Sequence, residues 1–329
     1  MNIELKYRIN YHLTTVIIAI AALFFGITGV LARIDGILFL PFTSALIACL
    51  FCIEKKKILS VIIPLVLVAV EIYVGITSYF LISSLSSIVL AIVIYACFIK
   101  GVSKSDAALI SLLIVVLSIV LSVILYMCGT MADVGLGNVI ERIVEATENT
   151  KQKMISYMLE IYDTVGSAEE SFSQKELEEI FDVYLDCLVA FVTIFAFLIT
   201  GITYKIFSKI VLSLTKDIDK VQQWHFVPSS AFAYFYFAIA ILSIFTSNTE
   251  SALDISVMNL YLIFMFIFAY VGYKYVSTVI KKSGRNSVFT SFAIIAMILI
   301  FSSFAIQILA VCGAFVSIKH ARLTDSTNK

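Results

Sequence analysis

Glu71 is the residue whose type and place most suggest chemistry. It lies in the stretch VIIPLVLVAVEIYVGITSYF, and no other charged residue occurs between Lys57 and Lys100. At about 1.5 Å per residue, its distance from Lys57 carries it roughly 21 Å along a helix. A charged side chain in hydrocarbon costs about 2.5–3.5 kcal/mol on insertion scales. The carboxyl is therefore expected to turn into a helix bundle, either protonated or paired. One reading makes it a contact for a ligand, a cation or a proton; the other makes it a hydrogen-bonding group between helices. Pro64 precedes it and is expected to kink the helix. Gly75 follows one turn later, and Tyr73 and Tyr79 are candidates to line the same cavity.

The remaining reactive residues point to less. Six Cys (49, 52, 97, 128, 187 and 312) lie in or beside apolar runs and read as small packing residues. Cys49 and Cys52 form a C-x-x-C without a second pair or a His cluster, so a metal or redox centre is not expected. Cys128 and Cys187 flank a long polar segment, where a disulfide is conceivable. The three His, at 12, 225 and 320, stand outside the apolar runs. Asp186, Asn259 and Gln307 are weaker polar candidates, and Arg33 and Asp35 are placed to pair with each other. There is no G-x-x-x-x-G-K-[ST], H-E-x-x-H or G-x-S-x-G. The expectation is a protein that is not an enzyme and holds no cofactor or metal; a membrane enzyme acting on lipid-linked substrates is a minor alternative.

The elements that must position Glu71 follow from composition. Of 329 residues, 61% are hydrophobic and 14% charged, and the mean hydropathy is +1.03. A soluble domain is roughly 45–50% apolar and about 25% charged. This balance excludes a cytosolic enzyme, a disulfide scaffold, a disordered chain and a nucleic-acid binder. It specifies an all-α polytopic membrane helix bundle of about 8–10 transmembrane helices. Candidate spans are 13–32, 36–53, 58–79, 82–99, 107–128, 184–207, 228–247 and 256–276, with a final apolar run over 288–318. That run is either one long helix or a hairpin, giving nine or ten crossings. The N-terminal span is read as uncleaved.

Charge orients the bundle. Alternate connections, taken as inner, carry fourteen of the 23 Lys and Arg, including Lys55, Lys56, Lys57, Lys100, Lys104, Lys205 and Lys209. This places the N-terminus in the cytoplasm. Residues 129–183 hold twelve Asp and Glu against four Lys and Arg, and are expected to be an extracytoplasmic amphipathic helical insertion. Two helices are read there, the second opened by a capping box of Ser173 and Glu176 and running into the span at 184. Residues 208–227 read as a cytoplasmic interfacial helix ending at Trp224. The domains are then 1–207, containing the insertion, the 208–227 helix and the C-terminal helices 228–329.

Trp224 and Pro228 form a W-x-x-x-P that opens the aromatic-rich FAYFYFA. Gly272 lies within AYVGYKYV, and the last run ends at Gly313 before a basic tail with Arg322. In these features the chain resembles the YybS-like family of bacterial membrane proteins of unknown function. Family members often read G-x-x-D…R in that tail, whereas Ala314 and Phe315 follow Gly313 here and the next Asp is Asp325. Such families are distantly similar to the substrate-binding S components of energy-coupling-factor vitamin transporters. That resemblance implies six helices with both ends inside, a pocket in the outer half and partner subunits comprising an ATPase and a transmembrane coupling protein. It also implies a docking role for the small residues Ala19, Ala22, Gly26 and Gly29, whose spacing equally suits packing within one bundle.

The combined expectation is a multi-pass protein of the bacterial cell membrane that binds a small molecule near Glu71. The alternative is a structural or interaction protein that docks partners through its acidic external segment. Partners are the lipid bilayer and, on the first reading, a ligand and an energising module; nucleic acid is not among them.

Overall fold

The computed structural model describes residues 11–31, 38–54, 57–74, 80–130, 139–165, 173–214, 226, 228–246, 251–282 and 304–319. All regular structure among them is helical, as long apolar runs require when backbone groups must be satisfied within hydrocarbon. In order, the helices are α1 (Tyr11–Leu31), α2 (Leu40–Ile53), α3 (Ile58–Val74), α4 (Phe80–Lys100) and α5 (Lys104–Thr130). Then follow α6 (Val139–Val165), α7 (Gln174–Asp186), α8 (Leu188–Leu214), α9 (Ser230–Thr246) and α10 (Ala252–Lys282). Helix α11 covers Phe304–Lys319. Four apolar helices, α1, α5, α8 and α10, are long enough to cross a membrane, and α2, α3, α4, α9 and α11 supply shorter apolar stretches. The chain is an all-α polytopic membrane protein.

It divides into two compact units. The first comprises residues 1–181 and 195–225, the second 182–194 and 226–329. In the first, α1 packs on α2 and α3, and α4 packs on α2, α3 and α5. Its core takes small residues where helices approach (Ala22, Ala45, Ala48, Ala91, Ala196) and large ones between them (Leu50, Leu67, Ile94, Phe207). Tyr204 crosses this core to meet Ser111 at 3.0 Å and the Ala107 carbonyl at 3.3 Å. Helix α8 does not stop at 207. It continues to Leu214, with Val211 and Leu214 buried in the core. The first seven residues of the expected interfacial helix are therefore part of a transmembrane helix, because Ile210, Val211 and Leu214 extend α8's own apolar face. Trp224 lies outside the described residues.

In the second unit, α10 and α11 meet at Gly272 and Gly313. A Cβ on Gly272 would fall on the backbone carbonyl of Leu309, and one on Gly313 on that of Phe268. In lipid, where apolar burial does not drive association, such backbone-on-backbone contact is what holds helices together. A second contact fixes their direction: the Gln307 side chain hydrogen-bonds the Tyr261 hydroxyl. Tyr261 precedes Gly272 and Gln307 precedes Gly313, so the helices run in the same sense. Were they antiparallel through the glycine crossing, Tyr261 and Gln307 would be about 25 Å apart along the axis. Helix α9 lies against α10 through Phe232, Phe235 and Tyr236, facing Tyr261, Phe264 and Phe268. Pro228 sits just before α9; its first turn closes with Ala233 N–H to Ser229 C=O at 3.3 Å, so the proline is outside the helix and not in its first turn.

Both helices read within residues 129–183 form, as α6 and α7. The capping box is made as expected: the Ser173 N–H donates to Glu176 Oε2 at 2.7 Å, and the Glu176 N–H donates to Ser173 Oγ at 3.3 Å. Glu176 is fully exposed, and the Ser173 amide and hydroxyl together hold its carboxyl below the usual value.

Candidate functional site

Helix α3 buries one stripe: Ser60, Ile63, Leu67 and Glu71. Their spacing of three and four residues is the helical repeat, so Glu71 continues the face that Leu67 presses against Gly26 of α1. Glu71 is 3% exposed, and its Oε1 has no hydrogen-bond partner among the described residues. A buried, unpaired carboxyl oxygen is uncommon and costs stability unless something else satisfies it.

Tyr73 does not share this environment. It is 91% exposed, because two residues along a helix is a rotation of about 200°. The expectation that it lines a cavity with Glu71 is corrected: it faces away from the bundle. Tyr79 lies outside the described residues. Ala19, Ala22, Gly26 and Gly29 are all buried, with Ala19 and Ala22 in the core of the first unit.

Other oxygen donors come from α4, which packs on α3. Ser86 and Ser87 are buried within two turns of the start of α4, and Glu71 is within one turn of the end of α3. Consecutive helices joined by residues 75–79 put these groups at the same end of the unit. The Ser118 hydroxyl of α5 donates to Ser86 Oγ at 2.9 Å.

At the opposite end of α3, sequence reading missed Glu54. Its carboxylate accepts the amide hydrogens of Leu59 and Ser60, and the Ser60 hydroxyl, each at 2.8 Å. Burial raises its pKa, yet these bonds and the Ile58 amide together hold it below the usual value. Lys57 adopts a left-handed φ of 56° and donates to the Phe51 carbonyl, with its ammonium 5.0 Å from the Tyr95 ring centre. Acid and base here close the facing ends of α3 and α2, so this is a structural corner. An acidic residue just ahead of an apolar helix was the available signal.

Of the weaker candidates, Asn259 proves the most informative. Its Oδ1 accepts the Ala190 N–H at 2.8 Å, and its Nδ2 donates to the carbonyls of Asp186 at 2.5 Å and Ile255 at 2.8 Å. An uninterrupted helix would pair Ala190 N–H with Asp186 C=O directly. Asn259 inserts between them, where α7 gives way to α8. Asp186 takes part through its backbone. Cys187, Cys49 and Cys52 are not disulfide-bonded; the Cys128 side chain lies outside the described residues. Arg33 and Asp35 lie outside the described residues.

The helices and their apolar composition thus define a polytopic membrane protein. The chain belongs to the family described as predicted membrane protein (DUF2232), whose model matches residues 10–315. No curated protein and no solved structure matches it.

Proposed function

We propose that this protein binds a small molecule within the first unit and takes part in its transport, with Glu71 as the contacting group. The observation that carries the reading is Glu71 Oε1, buried beyond Ile63 and Leu67 on one face of α3 and without a hydrogen-bond partner among the described residues. An unpaired carboxyl oxygen favours a cationic or hydrogen-bond-donating ligand and disfavours an anion. With no nucleotide loop in the sequence, uptake would draw on a partner ATPase and coupling subunit, as in S components, or on an ion gradient. Binding rather than catalysis is the expected activity.

The orientation that goes with this is a bacterial plasma-membrane protein with its N-terminus in the cytoplasm and residues 129–183 outside. Lys and Arg bias supports it. The common direction of α10 and α11 supports ten crossings, with Lys319 on the same side as Lys282.

A second reading, a non-enzymatic interaction protein, draws on α6, where Val144, Met154 and Tyr157 are exposed beside acidic residues. Purified wild-type and Glu71→Gln proteins distinguish the two when bound small molecules are extracted and weighed by mass spectrometry. The first reading expects a molecule retained by the wild type and lost from the variant. Equal retention would remove Glu71 from the site. A ligand-free protein with another protein held on α6 would favour the second.

A further inference from the structure

Helix α7 carries an apolar face that no described part of the protein covers. Val183 and Tyr184 are 57% and 56% exposed, and Ile180 one turn earlier is exposed as well. Glu178, Glu179, Asp182 and Asp186 occupy an arc of about 100° on the other side of the helix, taking 100° per residue. This is an amphipathic helix whose apolar side needs an occupant.

The adjoining helix identifies that occupant. The helical ladder carries across the junction, with Cys187 N–H to Val183 C=O at 3.1 Å and Phe191 N–H to Cys187 C=O at 3.0 Å. The rings of Tyr184 and Phe191 lie 5.9 Å apart. Phe191, Leu188 and Val189 are exposed on α8, a helix long and apolar enough to span the membrane, so this surface faces lipid. The bare face of α7 is the continuation of that surface. Depth agrees. The apolar stretch of α8 that is long enough to span the membrane begins at Leu188, one turn beyond Tyr184. Tyr184 and Val183 then fall at the headgroup boundary, where an amphipathic aromatic side chain is favoured. Asn259 fastens the junction at Ala190 and Asp186, which holds the α7 face in line with the α8 face.

We propose that α7 is a membrane-interface helix, with Ile180, Val183 and Tyr184 seated in the lipid surface at the Leu188 end of α8 and its acidic arc turned to water. Another protein is not needed to cover it.

Fluorescence quenching tests this with the full-length protein in phosphatidylcholine vesicles. In a Trp224→Phe background, which removes the only native Trp, Tyr184→Trp and Glu179→Trp are compared. Quenchers are bromine at shallow acyl positions and aqueous acrylamide. The proposal expects Tyr184→Trp to lose at least half its emission to bromine, and Glu179→Trp to be quenched several-fold more strongly by acrylamide. Equal quenching of both by acrylamide would overturn it. Shielding of Tyr184→Trp from both quenchers would also overturn it, since protein would then cover the face. Val183→Trp gives the same readout should the Tyr184 variant fail to fold.

Discussion

Asn259 and Glu71 are both polar side chains buried in apolar helices, and their two units treat them differently. Asn259 spends its whole amide group on Ala190, Asp186 and Ile255. Glu71 leaves Oε1 with nothing to accept among the described residues. A fully bonded buried amide is a fastening. A carboxyl with a bare oxygen beside Leu67 in an apolar helix is a cost retained, and such costs collect at functional sites. The same contrast separates the glycines. Gly272 and Gly313 face backbone across a helix crossing, whereas Gly26 faces the movable end of the Leu67 side chain.

The largest effect is expected at the glycine crossing. Gly313→Ala or Gly272→Ala places a Cβ on a carbonyl that cannot step aside, at a cost of about 1–3 kcal/mol or more. The melting temperature in detergent should drop clearly. Gly26→Ala should cost less, since Leu67 can change rotamer; equal losses at all three would break the contrast. Next, Asn259→Leu should cost about 1 kcal/mol, a sum limited because Ala190 and Asp186 can then pair with each other. Hydrogen exchange at the α7–α8 junction would report it as faster local opening. Ser173→Ala should weaken only the first turn of α7, by about 1 kcal/mol or less locally. The same turn depends on pH. Because Glu176 is held below its usual value, its contribution is complete above the ordinary carboxyl range near ~4.3. It fades as pH falls through the lowered value. Exchange of the α7 amides at pH 3 against pH 6 would show this, and a pH-independent rate would count against the capping box. Smallest of all, Glu71→Gln should leave the melting temperature unchanged or slightly raised.

Much of this was legible in the chain. Spans follow from apolar length, and α6 and α7 from periodicity and the Ser173–Glu176 spacing, since each is a local property. Glu71 stood out because one acid in a long apolar run has few places to go. Tyr73 is near Glu71 in sequence but not in space, because each residue turns the helix by about 100°. Lys205 and Lys209 look like a boundary in the sequence, yet α8 runs past them because Val211 and Leu214 go on packing inward. The insertion of Asn259 and the common direction of α10 and α11 are long-range contacts, and no local pattern announces them.

The central claim is that Glu71 Oε1, without a partner among the described residues, is open to a partner from outside the protein. Dicyclohexylcarbodiimide, which reaches carboxyl groups from the lipid phase, tests it most directly in membranes containing the full-length chain. The account predicts an adduct on the peptide bearing Glu71, absent from Glu71→Gln. A Glu71 peptide that stays unmodified under conditions that label a known lipid-facing carboxyl added as a control would contradict it.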